Sequence, residues 1–238
     1  MEIGSDFYRE LESITLNCKK CGGTGFHRSA RKGRVQCTCV AKITKALALH
    51  KANIPVRYQN FDKRKLTSAF KAANKRSLDL FKEQTDDINA QVRNGSLLWL
   101  FSKPGLAKSS LVGWVLSRAL DQGAVPYYLR ADRLAGLRMD AGRDSEAKAT
   151  YQYIIDDVDV LAIEEIEKVY LPGHMTYPAQ SFYSALADIY DTAKFLIVTS
   201  NEQPVEVLRM FPDYLGDRFT EKSVQIGFSG KSGRSSHA

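Results

Sequence analysis

Apolar positions recur at helical spacing over residues 68–92, where Phe70, Leu78, Phe81, Ile88 and Val92 form one stripe that stops at Asn94-Gly95, a good helix end. Beyond it the texture changes. Short apolar runs at Leu97–Phe101, Val125–Leu129, Val158–Ile163, Phe195–Val198 and Val224–Phe228 alternate with helix-length segments at 108–121, 132–154, 179–192 and 204–216. Strands alternating with helices predict an α/β fold: a mostly parallel sheet covered by helices on both faces, with right-handed crossovers. Ahead of this pattern lie a short amphipathic stretch carrying Phe7, Leu11 and Ile14, a cysteine segment at 17–40 and a helix over 41–52. Asn53-Ile54-Pro55 breaks that helix, because proline has no N–H donor and pushes the residue before it out of helical geometry. The expected division is therefore a small module at 1–52 and a main domain at 53–238.

Composition narrows the class. With 238 residues, 44% of them hydrophobic and 26% charged, the chain can build a sizeable core and is neither disordered nor a disulfide miniprotein. The longest apolar runs are about a quarter of the roughly 20 residues that cross a bilayer. The start MEIGSDFYRE also lacks a signal peptide's basic-then-apolar order, so a cytoplasmic protein without membrane contact is expected. Charge is uneven: residues 1–95 hold 19 Lys and Arg against 9 Asp and Glu, while 96–238 hold 15 against 18. Between Lys19 and Arg76 there are 16 basic residues and a single acid, Asp62. Such a segment suits a polyanion or an acidic protein surface; the plainer alternative is a solvated basic face.

All four cysteines, Cys18, Cys21, Cys37 and Cys39, fall in one short segment, which in a reducing compartment suggests a metal rather than disulfides. The pairs C-x-x-C and C-x-C are separated by 15 residues. Gly22, Gly23 and Gly25 help the first pair form a tight knuckle, and four thiolates can close a tetrahedral Zn²⁺ site. With no open coordination position such a zinc would be structural, holding together a module too small for its own core. His27 could replace one ligand, and four free thiols are the remaining alternative.

The first strand of the main domain runs straight into Ser102-Lys103-Pro104-Gly105-Leu106-Ala107-Lys108-Ser109-Ser110 and then into a helix. Strand, loop, helix is the setting of a phosphate-binding loop, in which backbone N–H groups cradle phosphates, a lysine reaches the outer ones and a Ser or Thr hydroxyl ligates Mg²⁺. In the register G-x-x-x-x-G-K-[ST], Gly105, Lys108 and Ser109 fit, whereas Ser102 and Ala107 stand where glycines are expected. The run Asp159–Ile163 ends in the adjacent acids Glu164 and Glu165, which could support a metal and polarise an attacking water or be ordinary helix-start or surface charges. Asp156-Asp157 is a rival pair. Asn201, at the end of the next apolar strand, could hydrogen-bond the water or γ-phosphate, because parallel strands deliver their C-terminal ends to one edge. Arg218 could act in trans at a subunit boundary or form an intrachain salt bridge. Arg130, Arg133, Arg138, Arg143 and Lys148 could face single-stranded DNA, although Asp132, Asp140, Asp144 and Glu146 among them fit an ordinary solvated surface equally. Tyr127 and Tyr128 alternate along their strand, so only one of them is expected in the core.

Taken together, residues 53–234 resemble the AAA+ ATPases of the bacterial helicase-loader family, the DnaC/DnaI type, and their transposition relatives of the IstB type. The similarity is carried by Ile54-Pro55-Val56-Arg57-Tyr58 with Phe61, by Pro104-Gly105-Leu106-Ala107-Lys108-Ser109, and by the strand from Asp159 to Glu165. It continues through Tyr190-Asp191, Thr199-Ser200-Asn201, Asp217-Arg218-Phe219 and Gly230-Lys231-Ser232-Gly233-Arg234. The resemblance implies an AAA+ P-loop NTPase domain in which Pro104 to Ser110 bind ATP, Lys108 and Ser109 serving phosphate and Mg²⁺. Glu164 and Glu165 would then be the Walker B acids, Asn201 sensor 1, Arg218 the arginine finger and Arg234 a sensor 2 candidate, with the chain ending before a full helical lid. It also implies side-by-side self-association, binding to single-stranded DNA and to the hexameric replicative helicase, and slow hydrolysis where the loop glycines are replaced. In the DnaI branch the zinc module grips the helicase. The alternative from the same resemblance is a transposition regulator that binds DNA and a transposase.

Overall fold

The computed structural model describes residues 11–14, 16–59, 61–62, 65–169, 177–192 and 194–231. Phe7 of the amphipathic stretch and Ser232 to Arg234 lie outside them. The chain divides into two compact units, residues 1–51 and 52–238.

In the first unit an antiparallel hairpin pairs β1 (Phe26–Ser29) with β2 (Gly33–Gln36), and α1 (Thr38–Lys51) follows directly. Gly33 sits at φ +67°, a left-handed turn position that glycine takes without steric cost. The Arg34 guanidinium lies 4.4 Å above the Phe26 ring, so the exposed aromatic carries a basic neighbour.

The second unit opens with α2 (Val56–Gln59), followed by α3 (Ser68–Ala73), α4 (Lys75–Asp86) and α5 (Ile88–Arg93). The apolar stripe of 68–92 predicts one helix; three form instead. Asn74, only 3% exposed, ends α3 because its amide is used elsewhere, donating to the Ser229 carbonyl and accepting the Ser229 N–H at 2.9 and 2.8 Å. Asp87 starts α5 by accepting the Ala90 N–H at 2.9 Å.

The remaining elements alternate as expected: β3 (Leu97–Phe101), α6 (Lys108–Asp121), β4 (Pro126–Arg130), α7 (Ala131–Asp140), α8 (Ser145–Asp156) and β5 (Val160–Glu164). A 3₁₀ turn (Ile166–Val169), α9 (Tyr177–Tyr190), β6 (Phe195–Ser200), α10 (Pro204–Leu208), α11 (Asp213–Lys222) and β7 (Ser223–Gly227) complete the chain. Two expected helices are again divided. Asp144 caps α8 by accepting the Ala147 N–H, splitting 132–154, and Pro212 starts α11, splitting 204–216.

The five strands pair parallel throughout, in the order β4-β5-β6-β3-β7. Helices cover the sheet, so the inner strands are apolar on both sides; Leu97 to Leu100, Val160 to Ile163 and Phe195 to Val198 are all buried. The same cover overturns the expected alternation of Tyr127 and Tyr128. Both are 6% exposed: Tyr127 packs edge-on to Tyr153 in the core, and Tyr128 meets Tyr58. Helix α2 rests on α6 where Gly113 leaves room, since a Cβ there would stand 2.6 Å from the Cβ of Tyr58. Beside it, Ala52 and Asn53 run along β4, the Tyr128 N–H donating to the Ala52 carbonyl and the Asn53 amide donating to the Tyr128 carbonyl.

Candidate nucleotide-binding site and cysteine cluster

Parallel register brings the C-terminal ends of β3, β5 and β6 to one edge, with Phe101 opposite Ser200 and Ile163 opposite Val198. Chain continuing past this edge must turn sharply. Gly105 does so at φ +85°, a cost-free position, but Ala107 takes φ +60° and Glu165 φ +58°. For an L-residue with a Cβ the left-handed region costs roughly 1–2 kcal/mol, so the loop holds Ala107 under strain at the position where a phosphate loop ordinarily has glycine.

All seven loop residues from Pro104 to Ser110 line a cavity of about 540 Å³, with Glu165 and Asn201 also on its wall. Lys108 begins α6 and is 8% exposed. Its ammonium donates to the Ser102 carbonyl at 2.6 Å, the Ser102 hydroxyl at 3.0 Å, the Lys103 carbonyl at 3.4 Å and Asn201 Oδ1 at 3.1 Å. The lysine is thus folded back over the loop, partly by the hydroxyl that Ser102 supplies.

The two adjacent acids are treated differently. Glu164 is 5% exposed and does not line the cavity; Oε2 accepts the Tyr128 hydroxyl at 2.5 Å, while Oε1 has no hydrogen-bond partner among the described residues. Burial pushes the Glu164 pKa up, and the nearby Ser109 and Tyr128 hydroxyls oppose that without cancelling it. Glu165 reaches the cavity, where Lys168 Nζ stands 2.8 Å from Oε1 and Arg130 3.6 Å from Oε2. The rival pair Asp156-Asp157 is corrected by the fold. Asp156 ends α8 and Asp157 caps it, before β5 begins, so they lie at the opposite end of that strand from Glu164.

Lys108, Ser109, Glu164, Glu165 and Asn201 therefore converge. Arg218 does not line the cavity; it pairs with Asp191 at 3.2 Å and stacks 5.0 Å above the Tyr190 ring, the intrachain arrangement. Arg130, Arg138 and Arg143 are also paired, with Asp132, Asp188 and Asp140, which reduces the charge α7 and its flanks offer to a phosphate backbone. Residues with no role assigned from the sequence complete the cavity: Arg57 and Tyr58 from α2, Lys168 from the 3₁₀ turn and Thr199 from β6. Thr199 accepts the Glu165 N–H at 3.2 Å and so fixes the strained residue.

The four cysteine sulfurs lie within 4.8 Å of one another, with 3.6 Å between Cys18 and Cys37 and 3.4 Å between Cys21 and Cys39. A tetrahedral ZnS₄ site has sulfurs about 3.8 Å apart, given Zn–S of about 2.3 Å, so the set fits a closed zinc site. His27 sits on β1 and is not among the clustered ligands, which removes it as the alternative. Backbone N–H groups of Lys20 and Cys21 lower the Cys18 pKa to about 6, whereas burial raises that of Cys39 to about 12. Among the described residues no helix is long and apolar enough to cross a membrane.

No protein-family model and no curated protein sequence matches the chain. Solved structures do. DnaA from Aquifex aeolicus bound to AMPPCP aligns at 17% identity and TM-score 0.54, over 73% of this chain and 50% of that one. The DnaC helicase loader aligns at 14% and 0.54, over 68% of this chain and 100% of that one. DnaI aligns at 11% and 0.57, over 76% and 94%. The chain spans about half the length of the AMPPCP-bound DnaA structures it matches. These alignments show that the chain, with its five-stranded parallel sheet flanked by helices, has the α/β fold of the DnaA, DnaC and DnaI structures.

Proposed function

We propose that the protein is an ATP-dependent loader of the hexameric replicative helicase. The observation that carries this reading is the convergence of a glycine-turned loop, Lys108, Ser109 and Glu165 on a single cavity of an AAA+ sheet, with Glu164 buried close to Ser109. Backbone N–H groups of the loop and the α6 N-terminus hold the phosphates of ATP, and Lys108 leaves its loop carbonyls for the outer ones. Ser109 and Glu164 hold Mg²⁺; the buried, partnerless Oε1 of Glu164 close to Ser109 fits that ion. Mg²⁺, when bound, neutralises phosphate charge.

Glu165 orients the attacking water. Its oxygen bonds to Pγ, the bond from Pγ to the bridging oxygen breaks, ADP departs with that electron pair, and Glu165 takes the water's proton. Strain at Ala107 and the hold of Lys168 and Arg130 on Glu165 keep this step slow, so ATP acts chiefly as an assembly switch. Arg218 serves a neighbouring subunit. The cysteine unit, residues 1–52, holds structural Zn²⁺ and grips the helicase, while the AAA+ domain, residues 53–238, contacts single-stranded DNA. A DnaA structure of the same fold was solved with AMPPCP and single-stranded DNA, which supports both ligand classes.

The test is complex formation between the zinc-loaded protein and the host's hexameric helicase, with ATP, ADP or no nucleotide, by size-exclusion chromatography with light scattering. A complex whose stoichiometry depends on nucleotide is expected. No complex in any state, with a preference for double-stranded over single-stranded DNA, would replace this reading with the transposition regulator.

A further inference from the structure

A single turn grips two of the polar side chains that line the cavity beyond the loop, Glu165 and Asn201. Lys168 holds Glu165, and its neighbour Glu167 holds Asn201: Glu167 Oε1 accepts the Asn201 backbone N–H at 3.1 Å and the Asn201 Nδ2 at 2.7 Å. The turn itself is pinned by Ile166 and Val169, both buried. Glu167 Oε2 is buried with no hydrogen-bond partner among the described residues, which leaves Asn201 as the group this carboxylate serves.

Chemistry fixes which way the Asn201 amide points. An ammonium only donates and a carboxylate only accepts, so between Lys108 and Glu167 the amide oxygen must face Lys108 and the NH₂ must face Glu167. That orientation is the wrong one for a terminal phosphate, whose oxygens also only accept. A γ-phosphate drawing Lys108 toward itself would meet the amide oxygen, and relief requires turning the amide and giving up its charge-assisted bond to Glu167.

We infer that Glu167 is a positioning residue that sets the discrimination between nucleoside triphosphate and diphosphate, by locking Asn201 with its amide oxygen toward Lys108. The inference rests on the nucleotide-binding reading of the cavity. ADP leaves the lock in place; ATP must break it, so Glu167 lowers ATP affinity selectively. The Glu167–Asn201 bond thereby acts as a threshold on the assembly switch.

The decisive experiment is calorimetric titration of the full chain with AMPPCP and with ADP, both with Mg²⁺, for wild type, Glu167→Gln, Asn201→Ala and the double variant. Gln is nearly isosteric with Glu and can pair the amide in either orientation, so the fold should persist, checked by thermal melting. Loss of one charge-assisted bond is expected to tighten AMPPCP about tenfold while ADP changes by less than about twofold. In the Asn201→Ala background the Glu167→Gln gain should vanish. An unchanged or smaller triphosphate preference in Glu167→Gln, or the same gain without Asn201, overturns the inference while leaving nucleotide binding intact. If folded wild-type protein binds neither nucleotide, the nucleotide-binding reading fails and the inference with it.

Discussion

Tyr128 donates its phenolic hydrogen to Glu164 across 2.5 Å, joining the middle of β4 to the acid that ends β5. Their strands are neighbours in the sheet, with Tyr128 in register with Ala162 and Glu164 two residues further on, and only one oxygen of the carboxylate is served. A buried charge with one free oxygen is a standing cost to the fold and a ready ligand for a cation.

Glu164→Gln should therefore stabilise the nucleotide-free protein while abolishing hydrolysis. Burial raises the Glu164 pKa, so the folded chain binds that proton more tightly than the unfolded one. The contribution is fully present below the unfolded value and is lost as pH rises through the raised folded value. Removing the charge should raise the melting temperature at neutral pH by about 2–4 °C, the shift that about 1 kcal/mol gives a chain of this size. Calorimetric melts from acid to neutral pH should show the gain shrinking toward the acid end; a gain independent of pH would contradict the assignment.

Ala107→Gly removes a Cβ from the left-handed position at the mouth of α6. Relief of strain and the entropy that glycine adds to the unfolded chain are both about 1 kcal/mol, so stability should change little. Nucleotide affinity should rise, by about threefold to tenfold, because the backbone can approach the phosphates. Ser102→Gly should add to this by releasing one of the bonds on Lys108. Titration with ADP reads both effects, and weaker binding in either variant would count against the loop's assigned role.

Zinc should be present at about one ion per chain by elemental analysis, the stoichiometry of a closed four-thiolate site. A strong chelator should strip hydrogen-exchange protection from residues 18–51 and leave the main domain folded, because the two units are separately compact. Acid should do the same, because zinc ligands must be deprotonated and protons compete with the metal for the thiolates. Retained protection after chelation would mean that the thiols hold the fold without metal.

Arg218 bonds within its own chain and stands clear of its own cavity, so any catalytic role must be exercised on a neighbour. Arg218→Ala and Glu165→Gln should each bind ATP yet fail to hydrolyse it, while a mixture regains part of the activity through interfaces that pair an intact Arg218 with an intact Glu165. A mixture as inactive as its components would assign Arg218 to the intrachain salt bridge alone.

The parts of the fold legible in the sequence are those with local causes. Leu97–Phe101 and Phe195–Val198 are uninterrupted apolar runs because both faces are covered, and Gly105, Lys108 and Ser109 keep enough of a phosphate loop to mark the turn. The breaks at Asn74, Asp87 and Asp144 depend on backbone partners that the apolar periodicity does not carry, one of them 155 residues away, so a single stripe reads as one helix. Glu167, Lys168 and Tyr128 were illegible as site residues for a related reason. A lone charge in a turn, or a tyrosine on a strand, has no signature until the register brings Glu164 or Asn201 beside it.

Asn53 and Asn74 stand at opposite ends of the strand order, each spending a side-chain amide on backbone that would otherwise be bare: Tyr128 on β4 and Ser229 just beyond β7. Outer strands are where a sheet can recruit another chain and grow into aggregates. With Ala52 also taking the Tyr128 N–H, the flank of β4 is partly sealed by the segment that follows the cysteine unit, which guards this edge of the sheet against pairing with a strand from another chain.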